Sequence, residues 1–386
     1  MEMKPVFLLL LRLMQVLLCL PYKFVRSYKS CHSNTVKFKR SEGIDHFTKI
    51  VASCLLCLSA MQLVDDLVTT EIESTMEFLL ISLHFLNQIG FMTITSYCIH
   101  QHRILKFASK SLLLILNNHQ ELSVADALLW ILFTCPCVLI IFVVYPRFYA
   151  SNIRNFIYLP LHAFRILLIL FIPFFFNVGL YISNHYVRQW MTKLGNDISA
   201  RVQQSSGSNA RTKPNPHKDL DISLLLCHAG RITLTSEQVC RTFETFLRTR
   251  RTLQLLYCFC RLPMAVAVSI DLLELIFSVS GFTIMTAKMS DILFASNSFA
   301  RIAMILTAPA GIQKSLREAE HLLRLLHVRV QAAAKPKIMA GIEVIETMPD
   351  FSIYGLFTLG PHAILPVLST VATYVLVNYQ ASQSRL

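Results

Sequence analysis

The side chains best suited to chemistry are ionisable groups set inside long apolar stretches. Asp271 and Glu274 lie three apart in DLLELIFSVSGF, and His162 and Arg165 lie three apart in LPLHAFRILLIL. Residues three apart share a helix face. A charge in hydrocarbon costs about 3 kcal/mol or more, so such groups are kept for a ligand, an ion path or an ion pair. A ligand pocket that includes Asp271 and Glu274 and a buried pair between Arg165 and one of them are equally good readings. Tyr145, Phe148, Tyr149 and Tyr158 could stack a small molecule nearby, although interfacial aromatic belts account for such residues more often. Arg261 and Arg301 are read as snorkelling to the interface or pairing.

The sequence argues against an enzyme. It has no Gly-rich phosphate loop, no His-x-x-x-His pair and no Gly-x-Ser-x-Gly elbow, and its histidines are scattered. No cofactor and no metal are expected. The 11 cysteines include one Cys-x-x-C pair, Cys54 and Cys57, in wholly apolar surroundings, which reads as packing rather than metal or redox work.

The elements that must position these groups follow from composition. Of 386 residues 54% are hydrophobic and 15% charged, with mean hydropathy +0.51, more apolar surface than a soluble core can bury. A span needs roughly 20 apolar residues. Such runs occur at 44–65, 75–99, 125–148, 155–183, 252–280, 290–311 and 354–380. Backbone groups in lipid must be paired within the segment, and the runs lack the alternation of barrel strands, so each is expected to be helical. The fold expected is an all-α membrane protein with seven transmembrane helices: 44–183 holds the first four, 252–311 the fifth and sixth, and 354–380 the last.

Lys and Arg set the orientation, because short cytoplasmic loops retain them. Of the 36, residues 1–43, 100–124, 184–251 and 312–353 hold 28. The N-terminus is therefore expected in the cytoplasm, with 381–386 a short extracellular tail. The net charge of +13 then sits where anionic inner-leaflet lipid lies, which makes membrane lipid a partner and leaves no call for nucleic acid. The apolar stretch at 6–20 resembles a signal peptide, but Arg12 interrupts it and no small-residue cleavage site follows, so cleavage is not expected. It reads as an amphipathic cytoplasmic segment on the membrane or under the bundle.

Residues 203–221, QQSSGSNARTKPNPHKDLD, are read as a disordered linker within the cytoplasmic loop 184–251. Around it, 222–251 and 312–331 show helical apolar spacing, with Ile312, Leu316, Leu322, Leu323, Leu326 and Val328 set against Arg317, Glu318, Glu320 and Arg324. These segments, with 312–353 as a cytoplasmic helical region, are expected to extend the membrane helices into a cytosolic bundle with faces for other subunits. An inside N-terminus and an outside C-terminus reverse the G-protein-coupled receptor topology, and no Asp-Arg-Tyr follows the third span.

The last stretch, FSIYGLFTLGPHAILPVLSTVATYVLVNYQASQSRL, carries Phe351, Gly355, Phe357 and Leu359, then Thr373 and Tyr374, five residues and Gln380. In these residues and their spacing, together with length, span number and orientation, the chain resembles the insect gustatory receptor family. It departs at Ala381, where that family has Phe, at Asn378 among the usually apolar five, and at Pro366 within the last helix after Pro361.

The resemblance implies a taste chemoreceptor in the plasma membrane that acts as a ligand-gated, non-selective cation channel. It implies a homo- or hetero-tetramer with other gustatory receptor subunits, passing monovalent and divalent cations on binding a small-molecule tastant. The last helix would line the pore. Thr373, Val377, Gln380 and Ser384 share one helical face, with Val377 the hydrophobic gate and Gln380 a polar ring beside it. Thr373 and Gln380 could instead bond neighbouring helices. Tyr145, Tyr149, Tyr158, His162, Arg165, Asp271 and Glu274 are the candidate ligand residues. The family's sugar-sensing branch carries Glu after Thr-Tyr; Val375 here leans towards a bitter or aversive compound. The rival readings are a non-chemosensory member of the same fold or a transporter, although the chain lacks a transporter's inverted repeat.

Overall fold

The computed structural model describes residues 3–16, 22–29, 33–40, 42–69, 75–118, 153–205, 236–284, 289–355 and 357–383. The expected span at 125–148 and nearly all of the linker at 203–221 lie outside these residues, as do Tyr145, Phe148, Tyr149 and Ser384.

Nine helices are present among the described residues: α1 (Met3–Val16), α2 (Glu42–Thr69), α3 (Thr75–Asn118), α4 (Ile153–Ser205), α5 (Ser236–Ile284), α6 (Met289–Thr307), α7 (Ala310–Arg329), α8 (Lys335–Glu346) and α9 (Ile364–Gln383). Four stretches among them are long and apolar enough to cross a membrane: Gly43–Asp65, Leu167–Ala200, Glu237–Ser280 and Pro361–Gln380. The runs expected at 75–99 and 290–311 fall within or largely within α3 and α6.

The chain divides into two units. The first comprises α1–α3, the start of α4, the latter part of α5, α6 and α9. Its core is apolar helix on helix: Phe91, Ile94, Leu105 and Leu112 of α3, Ile172 and Phe175 of α4, and Phe259 and Met264 of α5 are fully buried. Gly90 lets α3 approach α5 closely, since a Cβ there would lie 2.7 Å from the Ile270 side chain. Helix α1 seats Phe7 and Leu11 in this core, and Phe7 stacks against Phe175 at 6.2 Å.

Two strands follow α1. β1 (Tyr22–Lys29) pairs antiparallel with β2 (Ser33–Arg40), Phe24 opposite Phe38 and Lys23 opposite Lys39. The all-α expectation contains no such hairpin. Its sequence basis is a broken alternation, YKFVRSYK and SNTVKFKR, in which aromatic or β-branched residues are interleaved with basic ones. The density of charge there reads first as a basic tail and hides the alternation.

The second unit comprises the rest of α4, the start of α5, α7 and α8. Helix α7 buries Ile312, Ser315, Leu316, Ala319, Leu322, Leu323 and Leu326, an i, i+3, i+4, i+7 stripe with charge on the opposite face. Trp190 meets Phe246 edge-on at 4.6 Å, and its indole N–H donates to Thr242 Oγ1 at 3.2 Å. Arg188 Nε donates to Ser315 Oγ at 3.1 Å. Arg324 pairs with Glu320 and Glu346 at the exposed surface, where such pairs contribute about 1 kcal/mol or less.

Candidate functional site

Asp271 and Glu274 stand one turn apart on α5, and both reach Arg301 of α6. Arg301 Nη2 lies 2.7 Å from Asp271 Oδ1 and 2.5 Å from Glu274 Oε2. Ser298, one turn before Arg301, donates its hydroxyl to Glu274 Oε2 at 2.8 Å. Asp271 is 1% exposed and Arg301 12%, so the charges are removed from solvent and depend on one another. The sequence identified the two carboxylates but left Arg165 as their candidate partner. Arg301 takes that part, and Ser298 is a member no spacing rule would have found. His162, Arg165 and Tyr158 belong to α4, with side chains outside the described ones.

The residues of the motif before the last helix form a small turn. β3 (Ser352–Ile353) pairs antiparallel with β4 (Phe357–Thr358), Ser352 opposite Thr358. Leu359 N–H donates to Phe351 O at 2.5 Å and closes the loop. Gly355 has φ 73°, a conformation that costs a residue with a Cβ about 1–2 kcal/mol, and its N–H donates to Ser352 Oγ at 3.0 Å. Phe351 is buried edge-on against Phe176 and Tyr257, and the Tyr257 hydroxyl donates to Ser352 O. The Arg261 guanidinium lies 4.5 Å above the Tyr354 ring. The motif thus docks the entry of the last helix onto α4 and α5. Gly355→Ala is expected to lower the melting temperature of the detergent-solubilised chain by a few degrees, purely through φ, because a Cβ there would meet nothing within 4 Å. An unchanged melting temperature would show that the turn has an alternative.

Gly360 and a short 3-10 turn at Pro361–Ala363 lead into α9. Pro366 is only the third residue of α9, within the first turn, where backbone N–H groups have no intrahelical acceptor to lose. It therefore introduces no break in α9. Thr370 and Thr373 return their hydroxyls to Pro366 O and Ser369 O, each at 2.9 Å.

At about 100° per residue, Thr373, Val377 and Gln380 fall on one side of α9, and Leu368, Val371, Val375 and Tyr379 on the other. The second set lines an open, almost wholly apolar groove of about 960 Å³ with Leu275 of α5 and Phe299 of α6. The first set is exposed: Val377 is 52% accessible, and Thr373 and Gln380 are likewise open. Only 11% of the most apolar window of this span is buried, against 71% for Leu167–Ala200. Asn378, on the groove side beside Val371, turns its amide inward and donates to Ser280 Oγ of α5 at 3.1 Å.

No family model matches the chain, and no curated protein matches it. Solved structures do. The structure is similar to the insect olfactory receptor OR5 of Machilis hrabei in complex with eugenol, with TM-score 0.63 and 12% identity over 97% of this chain and 99% of that one. A second structure of the same receptor aligns with TM-score 0.59 and 12% identity over 96% and 97% of the two chains. At this identity the likeness is one of fold, and it extends over nearly the whole chain.

Proposed function

We propose that the chain is a subunit of a ligand-gated, non-selective cation channel that serves as a chemoreceptor in the plasma membrane, assembled as a homo- or hetero-tetramer. The observation that carries this reading is the last helix. It is apolar enough to span a bilayer, only 11% of its most apolar window is buried by its own chain, and its exposed side carries Thr373 and Gln380 in line with Val377. Thr373 satisfies its hydroxyl on Ser369 O, but an amide such as that of Gln380 is costly against lipid. Copies of this helix around a shared axis would place them on water instead, with Val377 as the gate, Gln380 as the polar ring and Ser384 continuing the face. The fold shared with an olfactory receptor solved with eugenol supports a small organic ligand.

The ligand site is assigned to the outer half of the first unit, with His162, Arg165, Tyr158, Tyr145 and Tyr149 as its candidate residues. Asp271 and Glu274 already have Arg301 and act there as framework rather than as ligand contacts. Seven spans, an inside N-terminus and an outside C-terminus complete the reading. A taste role, and a bitter or aversive compound rather than a sugar, rest on the motif and on Val375 alone.

The test is whole-cell recording with a calcium reporter on cells expressing the full chain, challenged with sugars, alkaloids, acids and eugenol. The expected result is a saturating cation current that needs no co-ion gradient. Uptake that requires such a gradient would make the chain a transporter and end the channel reading.

A further inference from the structure

We propose that Asn378 and Ser280 form a tie that sets the position of the last helix against α5, and through it the state of the pore face; this rests on the pore reading above. Beside this bond α9 borders an open apolar groove, lined by Val371, Val375 and Tyr379 with Leu275, Val279 and Phe299. Apolar contact is non-directional and leaves a helix free to slide or turn by small amounts. A hydrogen bond between two short side chains is directional and specifies one register. The Asn378 amide donates to Ser280 Oγ at 3.1 Å, and Ser280 is fully buried.

Three placements give the bond its leverage. Asn378 follows Val377 directly, so the rotation that breaks the tie also turns Val377. Ser280 lies six residues beyond Glu274 on α5, about 9 Å along the axis, and Glu274 is held to α6 through Arg301 and Ser298. The tie therefore fastens α9 to a helix that is itself braced. Asn378 is also the residue at which the Thr-Tyr motif departs from its usually apolar run. The departure and the partner that explains it lie 98 residues apart in the chain.

The experiment uses the full chain at matched surface amounts and reads conductance without added ligand. Asn378→Leu and Ser280→Ala are each expected to shift it about threefold and in the same direction, the size of an average hydrogen bond between membrane helices. The double variant should shift it no further than either single one, because both remove one bond. Ser280→Cys with Asn378→Cys, oxidised to the disulfide, should shift it the opposite way and return on reduction, while each single cysteine variant does not respond.

Singles without effect, an additive double, or two cysteines that stay separately labelled by a thiol reagent would each overturn the tie. Failure of the pore reading has a different signature: Val377→Ala leaves conductance unchanged although the disulfide forms. If Val377→Ala changes conductance and the Asn378 and Ser280 variants do not, the pore stands and the tie alone falls.

Discussion

Replacing Arg301 with alanine is expected to leave almost no folded protein at the cell surface. Asp271 and Glu274 would then face each other one turn apart with their shared cation gone, Asp271 being 1% exposed. Removing one partner of a buried ion network costs about 3–5 kcal/mol, a large share of the roughly 5–15 kcal/mol by which folded proteins are held. The loss comes from stranded charge rather than lost volume. Asp271→Asn, Glu274→Gln and Arg301→Gln combined should therefore recover much of what Arg301→Ala loses, while Arg301→Lys should fall between, since one ammonium replaces a planar guanidinium that meets both carboxylates. Surface biotinylation and the monodisperse fraction in detergent read the result. Wild-type amounts of the alanine variant would mean that the carboxylates find water or another cation.

The second large effect is expected at the face of α9. On the proposed pore reading, Val377→Ala would trim the side chain in each copy and would widen and wet a ring proposed to exclude water. Unliganded conductance is expected to rise on the order of tenfold, equivalent to about 1.4 kcal/mol on the closed state. Gln380→Glu would place a ring of carboxylates beside it and is expected to raise calcium permeability relative to sodium, with Gln380→Ala altering selectivity in a milder way. Reversal potentials under ion substitution check both. If Val377→Ala and Gln380→Ala both leave conductance and selectivity as they were, α9 does not line the path.

The sequence made the helices of the first unit legible because lipid leaves the backbone no alternative: runs such as 44–65 and 252–280 must pair their own N–H and C=O groups, and they lie in α2 and α5. The apolar stripe of α7 was equally readable from its spacing. Other features were out of reach for stated reasons. Strands of two residues, like β3 and β4, have no periodicity to read, so Phe351, Gly355 and Leu359 could be recognised as a pattern without showing that they close a turn. The hairpin at 22–40 was hidden by its own charge. Partners across helices were hardest: Arg301 lies 27 residues from Glu274, and one-dimensional spacing offers no ground for choosing it over Arg165. Asn378 illustrates the same limit. Its oddness was visible in the sequence, but its meaning required Ser280.

The sparse burial of the last helix also bears on mechanical work. A segment embedded in its own fold can move only by tearing open contacts on every side, whereas α9, with 11% of its most apolar window buried, has few to surrender. Within its own chain, displacing it by a fraction of a turn disturbs the Asn378–Ser280 bond and the apolar groove beside it. Coupling between distant sites is typically about 1–3 kcal/mol, and a lever this loosely held can be thrown by a signal of that size.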